Sequence, residues 1–279
     1  MGNILIGTSG YSYDDWIGPF YPAGSQKRDF LDFYSKEFKL VELNYTYYSQ
    51  PKPSTFAGMV RRTEDDFLFA VKAHRSLTHD LTKDNAGNTA GITRNTEGIT
   101  RSAQDFKMAL QVLSDANRLA AVLLQFPYSF HYTPENRKHL DQVCRLLSGL
   151  PLTVEFRNSE WQREQVYQAM RERGISLVNV DEPSLPRLPV PGDTFTADPA
   201  YIRFHGRNAA NWWQGDNTTR YDYLYTDEEL SEWIDRITEI VKKAKLLLIA
   251  FNNHYKAQAV KNARRLRVLL RDRGLKQVL

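Results

Sequence analysis

The residues best suited to chemistry stand at the ends of short aliphatic runs. In Tyr201-Ile202-Arg203-Phe204-His205-Gly206-Arg207, alternation with a period of two puts Ile202 and Phe204 on one face and Arg203, His205 and Arg207 on the other. The same alternation pairs Glu42 with Asn44 in Val41-Glu42-Leu43-Asn44, and Glu155 with Arg157 in Val154-Glu155-Phe156-Arg157. Further runs end in Lys72 and His74, in Gln125, in Asn179 and Asp181, and in Asn252, Asn253 and His254. If these polar ends converge, Arg207, Arg157 and Lys72 are suited to holding an anion, His205 or His254 to transferring a proton, and Glu42 or Glu155 to acting as a base or orienting a histidine. His205, between two arginines that oppose its protonation, reads as a neutral acceptor. The catalytic candidates are therefore Glu42, Glu155, His205 and Lys72, and the substrate-binding candidates are Asn44, Tyr13, Trp16, Gln125, Arg157, Arg203, Arg207, Asn252 and Asn253. A second reading makes the same set a buried ion network, with Glu42 and Glu155 neutralised by Arg203, Arg157 and Lys72, that only holds the structure together.

Other chemistries have less support. There is no His-Glu-x-x-His, there are no paired cysteines and only six histidines, and clustered basic groups oppose a dication, so neither metal nor cofactor is expected. Were a metal bound, Glu155, His205 and Asp181 would be its ligands. Cys144 sits in an apolar helical pattern and reads as a small buried hydrophobe, and Ser9 has no evident base. Tyr13 and Trp16 in the segment Gly10 to Pro22, with Tyr45, Tyr47 and Tyr48, would either stack on sugar rings or bases or plug an apolar end of the fold.

Eight aliphatic runs read as strands: Ile4 to Ser9, Leu40 to Asn44, Phe67 to Lys72, Ala121 to Phe126, Leu152 to Phe156, Ser176 to Val180, Tyr201 to His205 and Leu246 to Phe251. Helical patterns separate most of them, over Lys27 to Phe38, Ser54 to Arg62, Ala103 to Asn117, Pro134 to Ser148, Gln162 to Arg173 and Asp227 to Lys243, and a basic helix closes the chain. Thr226 is placed to cap the helix whose first turn is Asp227-Glu228-Glu229. Alternating strands and helices imply a parallel sheet, and eight units imply that it closes into an α/β fold, the TIM (β/α)8 barrel, as one domain over residues 1–279. An open doubly wound sheet is the alternative, but the first strand is followed by Gly7-Thr8-Ser9-Gly10 without a Gly-x-Gly-x-x-Gly. The connection from Ala73 to Ser102 is long and polar, as expected of either a lid over a pocket or a disordered segment. Prolines 183, 186, 189, 191 and 199 leave no room for a regular sixth helix.

With 279 residues, 42% hydrophobic and 25% charged, the chain is long enough to bury a large core. A lone cysteine permits no internal disulfide, no signal-peptide pattern opens the chain, and the longest wholly apolar run, Leu246 to Phe251, is far short of a membrane span; together these predict a soluble cytoplasmic protein. The net charge of +4 is concentrated at the end, where Lys256 to Lys276 holds eight basic residues against Asp272. There Lys261, Arg264, Arg265 and Arg271 fall opposite an apolar stripe, either as a solvated helix face or as a nucleic-acid patch.

Gly7-Thr8-Ser9-Gly10 with Trp16-Ile17-Gly18 and Phe20-Tyr21-Pro22, Val41-Glu42-Leu43-Asn44, Phe69-Ala70-Val71-Lys72, Leu124-Gln125-Phe126-Pro127, Val154-Glu155-Phe156-Arg157, Tyr201 to Arg207 and Phe251-Asn252-Asn253 form an ordered set along nearly the whole chain. That set resembles the bacterial and archaeal family called domain of unknown function 72, or YecE-like. The resemblance implies a TIM barrel and leaves the reaction open. The family often has a glycine after the Asn-Asn pair where this chain has Tyr255-Lys256-Ala257-Gln258, so side chains such as Arg207 and Lys256 are expected to carry any anion contact there. Three functions stand at this point: an acid/base enzyme of hydrolase or lyase type acting on a small polar, anionic, phosphorylated or sugar-like compound, with Glu42 and Glu155 as a glycosidase-like pair in one version; a nucleic-acid binding or processing protein, by analogy with apurinic-endonuclease barrels; and a scaffold without catalysis. Oligomeric state has no signal in the sequence.

Overall fold

The structure is a computed structural model that describes residues 2–79, 96–216 and 218–275. Eight strands close in sequence order into a parallel barrel. They are β1 (Asn3–Ser9), β2 (Leu40–Leu43), β3 (Leu68–Lys72), β4 (Leu119–Phe126), β5 (Leu152–Phe156), β6 (Ser176–Asp181), β7 (Ala200–Phe204) and β8 (Leu246–Phe251). Closure is made by β1 against β8, in register from Asn3↔Leu246 to Thr8↔Phe251.

Alternation along each strand divides the aliphatic residues between two cores. Leu5, Leu40, Ala70, Leu123, Val178, Val180, Tyr201, Leu248 and Ala250 fill the inside of the barrel. Ile6, Val41, Leu43, Val71, Leu124, Val154, Phe156, Ile202, Phe204 and Phe251 face outward and pack against the surrounding helices. The inner plug is apolar, and Glu42, Lys72, Gln125, Glu155 and Arg203 stand above it at the carboxyl ends of their strands.

Helices cover the barrel largely where their apolar periodicity places them. The Thr226 hydroxyl accepts from the Glu229 N–H, as its N-cap position implies, and the Glu229 carboxylate in turn accepts from the Thr226 N–H, which makes the cap reciprocal. This helix runs in two pieces, Asp227–Ser231 and Ile234–Val241. The connection from β6 to β7 contains no helix, as its prolines require. Of the long polar connection from Ala73 to Ser102, residues 80–95 lie outside the described residues. Its described ends are helical, Arg75–Thr78 and the start of Thr96–Asp115, so the second helix begins well before the expected Ala103. Cys144 is buried, and loss of water pushes its thiol up to about 12. No described helix is long and apolar enough to cross a membrane.

Candidate active site

A cavity of about 280 Å³ opens at the carboxyl ends of the strands, lined by Tyr13, Asn44, Tyr47, Tyr48, Lys72, Gln125, Arg157, Arg203, Tyr221, Asn252 and His254. A neighbouring hollow shares its Lys72, Gln125 and Arg157 wall and extends past Trp212, Trp213 and Arg220.

Its floor is an ion network. Arg203, rising from β7, donates through Nε at 2.7 Å and Nη2 at 2.6 Å to the two oxygens of Glu42, and through Nη1 at 2.5 Å to Glu155 Oε2. Tyr201, two residues earlier on the same face, adds its hydroxyl to Glu42 at 2.6 Å. Arg157 donates to Glu155 Oε1 at 2.5 Å and to Glu182 Oε2 at 3.0 Å, and packs against the Trp212 ring. Burial would raise the carboxyls of Glu42 and Glu155, but the guanidinium groups outweigh it and hold both below the usual range, Glu155 well below. The ion-network reading thus describes Glu42, Glu155, Arg157 and Arg203; Glu182, which no alternation singles out, accepts a further N–H from Arg157.

His205 is fully buried beside this network. Its Nδ1 lies 3.2 Å from Asn252 Nδ2 and 3.3 Å from Arg157 Nη2, both of which can only donate, so Nδ1 is the acceptor. Nε2 then carries the proton and faces Glu155 Oε1 at 3.3 Å. Burial, reinforced by Arg157 and Arg203 against the pull of Glu155, lowers the imidazole to about 3. The ring is neutral, as its arginine neighbours imply, although burial is the larger cause.

Lys72 stands apart. It is half-buried at the cavity wall, and among the described residues no carboxylate lies within ion-pair distance of it. Nζ donates to Gln125 Oε1 at 2.7 Å, while Gln125 Nε2 donates to the Phe126 carbonyl at 3.1 Å and so fixes the amide with its oxygen toward the lysine. Burial, with Arg203 and Arg157 against Glu155 and Glu42, brings the amine down to about 7. The Tyr47 ring, 4.4 Å from Nζ, favours the ammonium form.

Other expected residues are placed elsewhere. Arg207 does not line the cavity: Gly206 turns the chain at φ +90°, ending the alternation, and Arg207 pairs instead with Asp181, at 2.7 Å, and Glu232, at 2.8 Å. Asn179 and Asp181 alternate with Val178 and Val180, which fill the barrel, so both polar side chains face outward. Asn179 bonds the Thr194 backbone, and Asp181 accepts from Tyr225 and Trp233. That placement separates Asp181 from Glu155 and His205, and the described residues hold no group of three or more His, Cys, Asp or Glu side chains able to hold a metal. Trp16 is completely buried and donates to the His254 carbonyl at 2.7 Å, while Tyr13 lies flat on the His254 ring, so the first loop supplies one plug residue and one cavity wall. Asn253 is buried and donates to Asn262 and the Tyr223 carbonyl, outside the cavity. Lys256 and Ala257 adopt positive φ, 48° and 58°, so the backbone takes the left-handed turn without the glycine. Tyr221, Trp212, Trp213 and Arg220, which line these hollows, carry no signal in the sequence, because they lie in an irregular segment with no periodic pattern. On the terminal helix, Arg264 pairs with Glu37 and Arg265 with Asp227, so part of the basic face is already neutralised.

The whole chain has relatives. A family profile described as "Protein of unknown function DUF72" matches residues 5–278. The UPF0759 protein YunF of Bacillus subtilis is 30% identical, over 96% of this chain and 94% of that protein. The crystal structure of a DUF72 family protein from Thermotoga maritima superposes with a TM-score of 0.85 at 37% identity, over 96% of this chain and 99% of that one. One from Enterococcus faecalis does so with a TM-score of 0.81 at 28% identity, over 96% and 95%. The agreement in sequence and in barrel architecture from end to end means that this chain belongs to the DUF72 family.

Proposed function

We propose that the protein is an enzyme that moves a proton to or from a small polar or anionic substrate at the carboxyl-end mouth of the barrel, with Lys72 as the proton-transferring group. The observation that carries this reading is the placement of the Lys72 amine. It faces the cavity outside the ion network, fixed by Gln125, with a pKa of about 7. A group poised near neutral pH is the most effective general acid or base there.

The roles of the remaining candidates follow from their partners. Glu42 and Glu155 have all four oxygens engaged by Arg203 and Arg157, which leaves neither free to attack or to take a proton, and a glycosidase-like pair is not supported. They are positioning residues, with His205, for the two arginines. Each arginine has five N–H groups and spends only some of them on these partners, so the remainder are available as donors to a substrate oxygen. Because their charge is already matched, the reading favours a polar or singly anionic compound over a multiply charged one.

The test is turnover of a small-metabolite extract, followed by untargeted mass spectrometry, with wild type, Lys72→Arg and Lys72→Met. A compound consumed by wild type should be consumed about 10²–10⁴-fold more slowly by both variants. Equal consumption by Lys72→Arg sinks the role given to Lys72.

A further inference from the structure

The Lys72 amine has a second property that proton transfer does not need. Its hydrogen bond to Gln125 Oε1 uses an N–H, and the Tyr47 ring lies 4.4 Å from the nitrogen. A neutral amine so held keeps its lone pair and its second N–H unspent, and it opens onto a cavity of about 280 Å³. The usual device that keeps a lysine charged and unreactive, a carboxylate partner, is absent for Lys72 among the described residues, because Glu42 and Glu155 are taken by arginines. A desolvated lysine beside other cations is the arrangement that activates an amine as a nucleophile.

From this geometry we infer that Lys72 forms a Schiff base with a small aldehyde or ketone bearing a carboxylate or hydroxyl group. This rests on the reading of the mouth as an enzyme site and names the substrate class. The Nζ lone pair attacks the carbonyl carbon, and the C=O pair moves to oxygen, which takes up a proton to give a carbinolamine. Nitrogen loses one proton to solvent. Its lone pair then forms C=N as the hydroxyl leaves, with one added proton, as water. Net, an amine, a carbonyl and one proton give a protonated imine and one water, with no change in oxidation state. The unspent N–H groups of Arg157 and Arg203 and the amide of Asn44, all on the cavity wall, are the donors for the carbonyl compound's other oxygens. The resulting cation draws electrons from the adjacent carbon, which makes a proton or a carbon–carbon bond there easier to remove.

The experiment is reductive trapping of the full-length protein with glyoxylate, pyruvate and dihydroxyacetone in turn, with sodium cyanoborohydride at about pH 7, read by peptide mass mapping. Exposed lysines, mostly protonated at this pH, serve as the internal control. With at least one of the three probes, Lys72 should be labelled more than about 10-fold faster than the mean of the other lysines, with a pH midpoint near 7, while labelling of the others climbs through pH 9 to 10. Lys72→Arg, checked for folding by circular dichroism, should lose that fast adduct and keep the slow ones. Labelling of the other lysines with Lys72 left unmodified by all three probes overturns the imine. The two readings fail separately: no adduct, with turnover still lost in Lys72→Arg, leaves proton transfer standing, whereas an adduct with turnover unaffected by Lys72→Arg removes the catalytic role.

Discussion

Replacing Lys72 by Met should stabilise the protein at neutral pH, against the usual direction for a residue in a polar pocket. The amine stands at 10.5 ordinarily and at about 7 in the folded chain. Between those values the unfolded chain binds more protons, so wild-type stability rises with pH from about 7 to 10.5, and below 7 the full penalty of the buried charge is present. At about 1.4 kcal/mol per pH unit the gap corresponds to roughly 5 kcal/mol. The lysine is only half-buried and lies on the Tyr47 ring, and solvent screening with that contact reduces the effective penalty to about 2–3 kcal/mol. Methionine fills the same unbranched volume, but it leaves Gln125 Oε1 without its donor, a loss of about 1 kcal/mol. The expected net gain for Lys72→Met is therefore about 1–2 kcal/mol at pH 6 to 7, shrinking toward zero or below by pH 10. Denaturant unfolding of both proteins across pH 6 to 10 measures it, and taking the difference cancels every other titrating group. A difference that stays flat over that range, or a variant less stable at pH 6 than at pH 10 relative to wild type, refutes the reasoning.

Glu182, raised by burial to about 8 despite Arg157, behaves in the opposite sense: its protonated form is stabilising below about 4.5 and that contribution is lost as pH rises through about 8. Glu182→Gln should match wild type near pH 4.5 and exceed it by up to a few kcal/mol at pH 8 to 9 in the same unfolding assay. Arg203→Met strands Glu42 and Glu155 without their guanidinium, so it should cost about 3–5 kcal/mol at pH 7 and recover part of that as acid protonates the carboxyls. Gly206→Ala puts a Cβ 2.7 Å from Tyr223 Cβ at a φ of +90°, and thermal unfolding should register a loss of roughly 1–3 kcal/mol. Lys256→Gly relieves a left-handed lysine at φ 48° and should raise stability by about 1 kcal/mol, with the backbone bond to Asp15 kept.

The barrel was legible because each strand is a short aliphatic run with one helical pattern or proline-rich stretch after it, and those runs match the observed strands to within two residues. The polar strand ends were legible for the same reason: Glu42, Lys72, Gln125, Glu155 and Arg203 each follow directly from alternation within an unbroken strand. Alternation misleads where its premise fails. It ends at Gly206, which sends Arg207 to Asp181, and in β6 it says which residues share a face but not which face is inside. There the inward positions are valines, and the polar pair meets the helix-free crossover through Thr194 and the following segment through Tyr225 and Trp233. The division of the charges was hidden for another reason. Arg203 takes both Glu42 and Glu155, 161 and 48 residues away, and only that pairing leaves Lys72 without a carboxylate. Neither the partner choice nor the burial that, with the two arginines, lowers the lysine's basicity has a local signature. The aromatic wall of Trp212, Trp213 and Tyr221 lies in irregular chain and lacks any periodicity to read.

The central claim is that Lys72 is a neutral or half-neutral amine at physiological pH. Its most direct test is the titration of the Lys72 side chain by NMR on lysine-labelled protein, with Lys72→Arg to assign the signal. A midpoint near 7 is the predicted result; a lysine that stays protonated to pH 10 contradicts the account and removes the basis for both the proton-transfer and the imine chemistry.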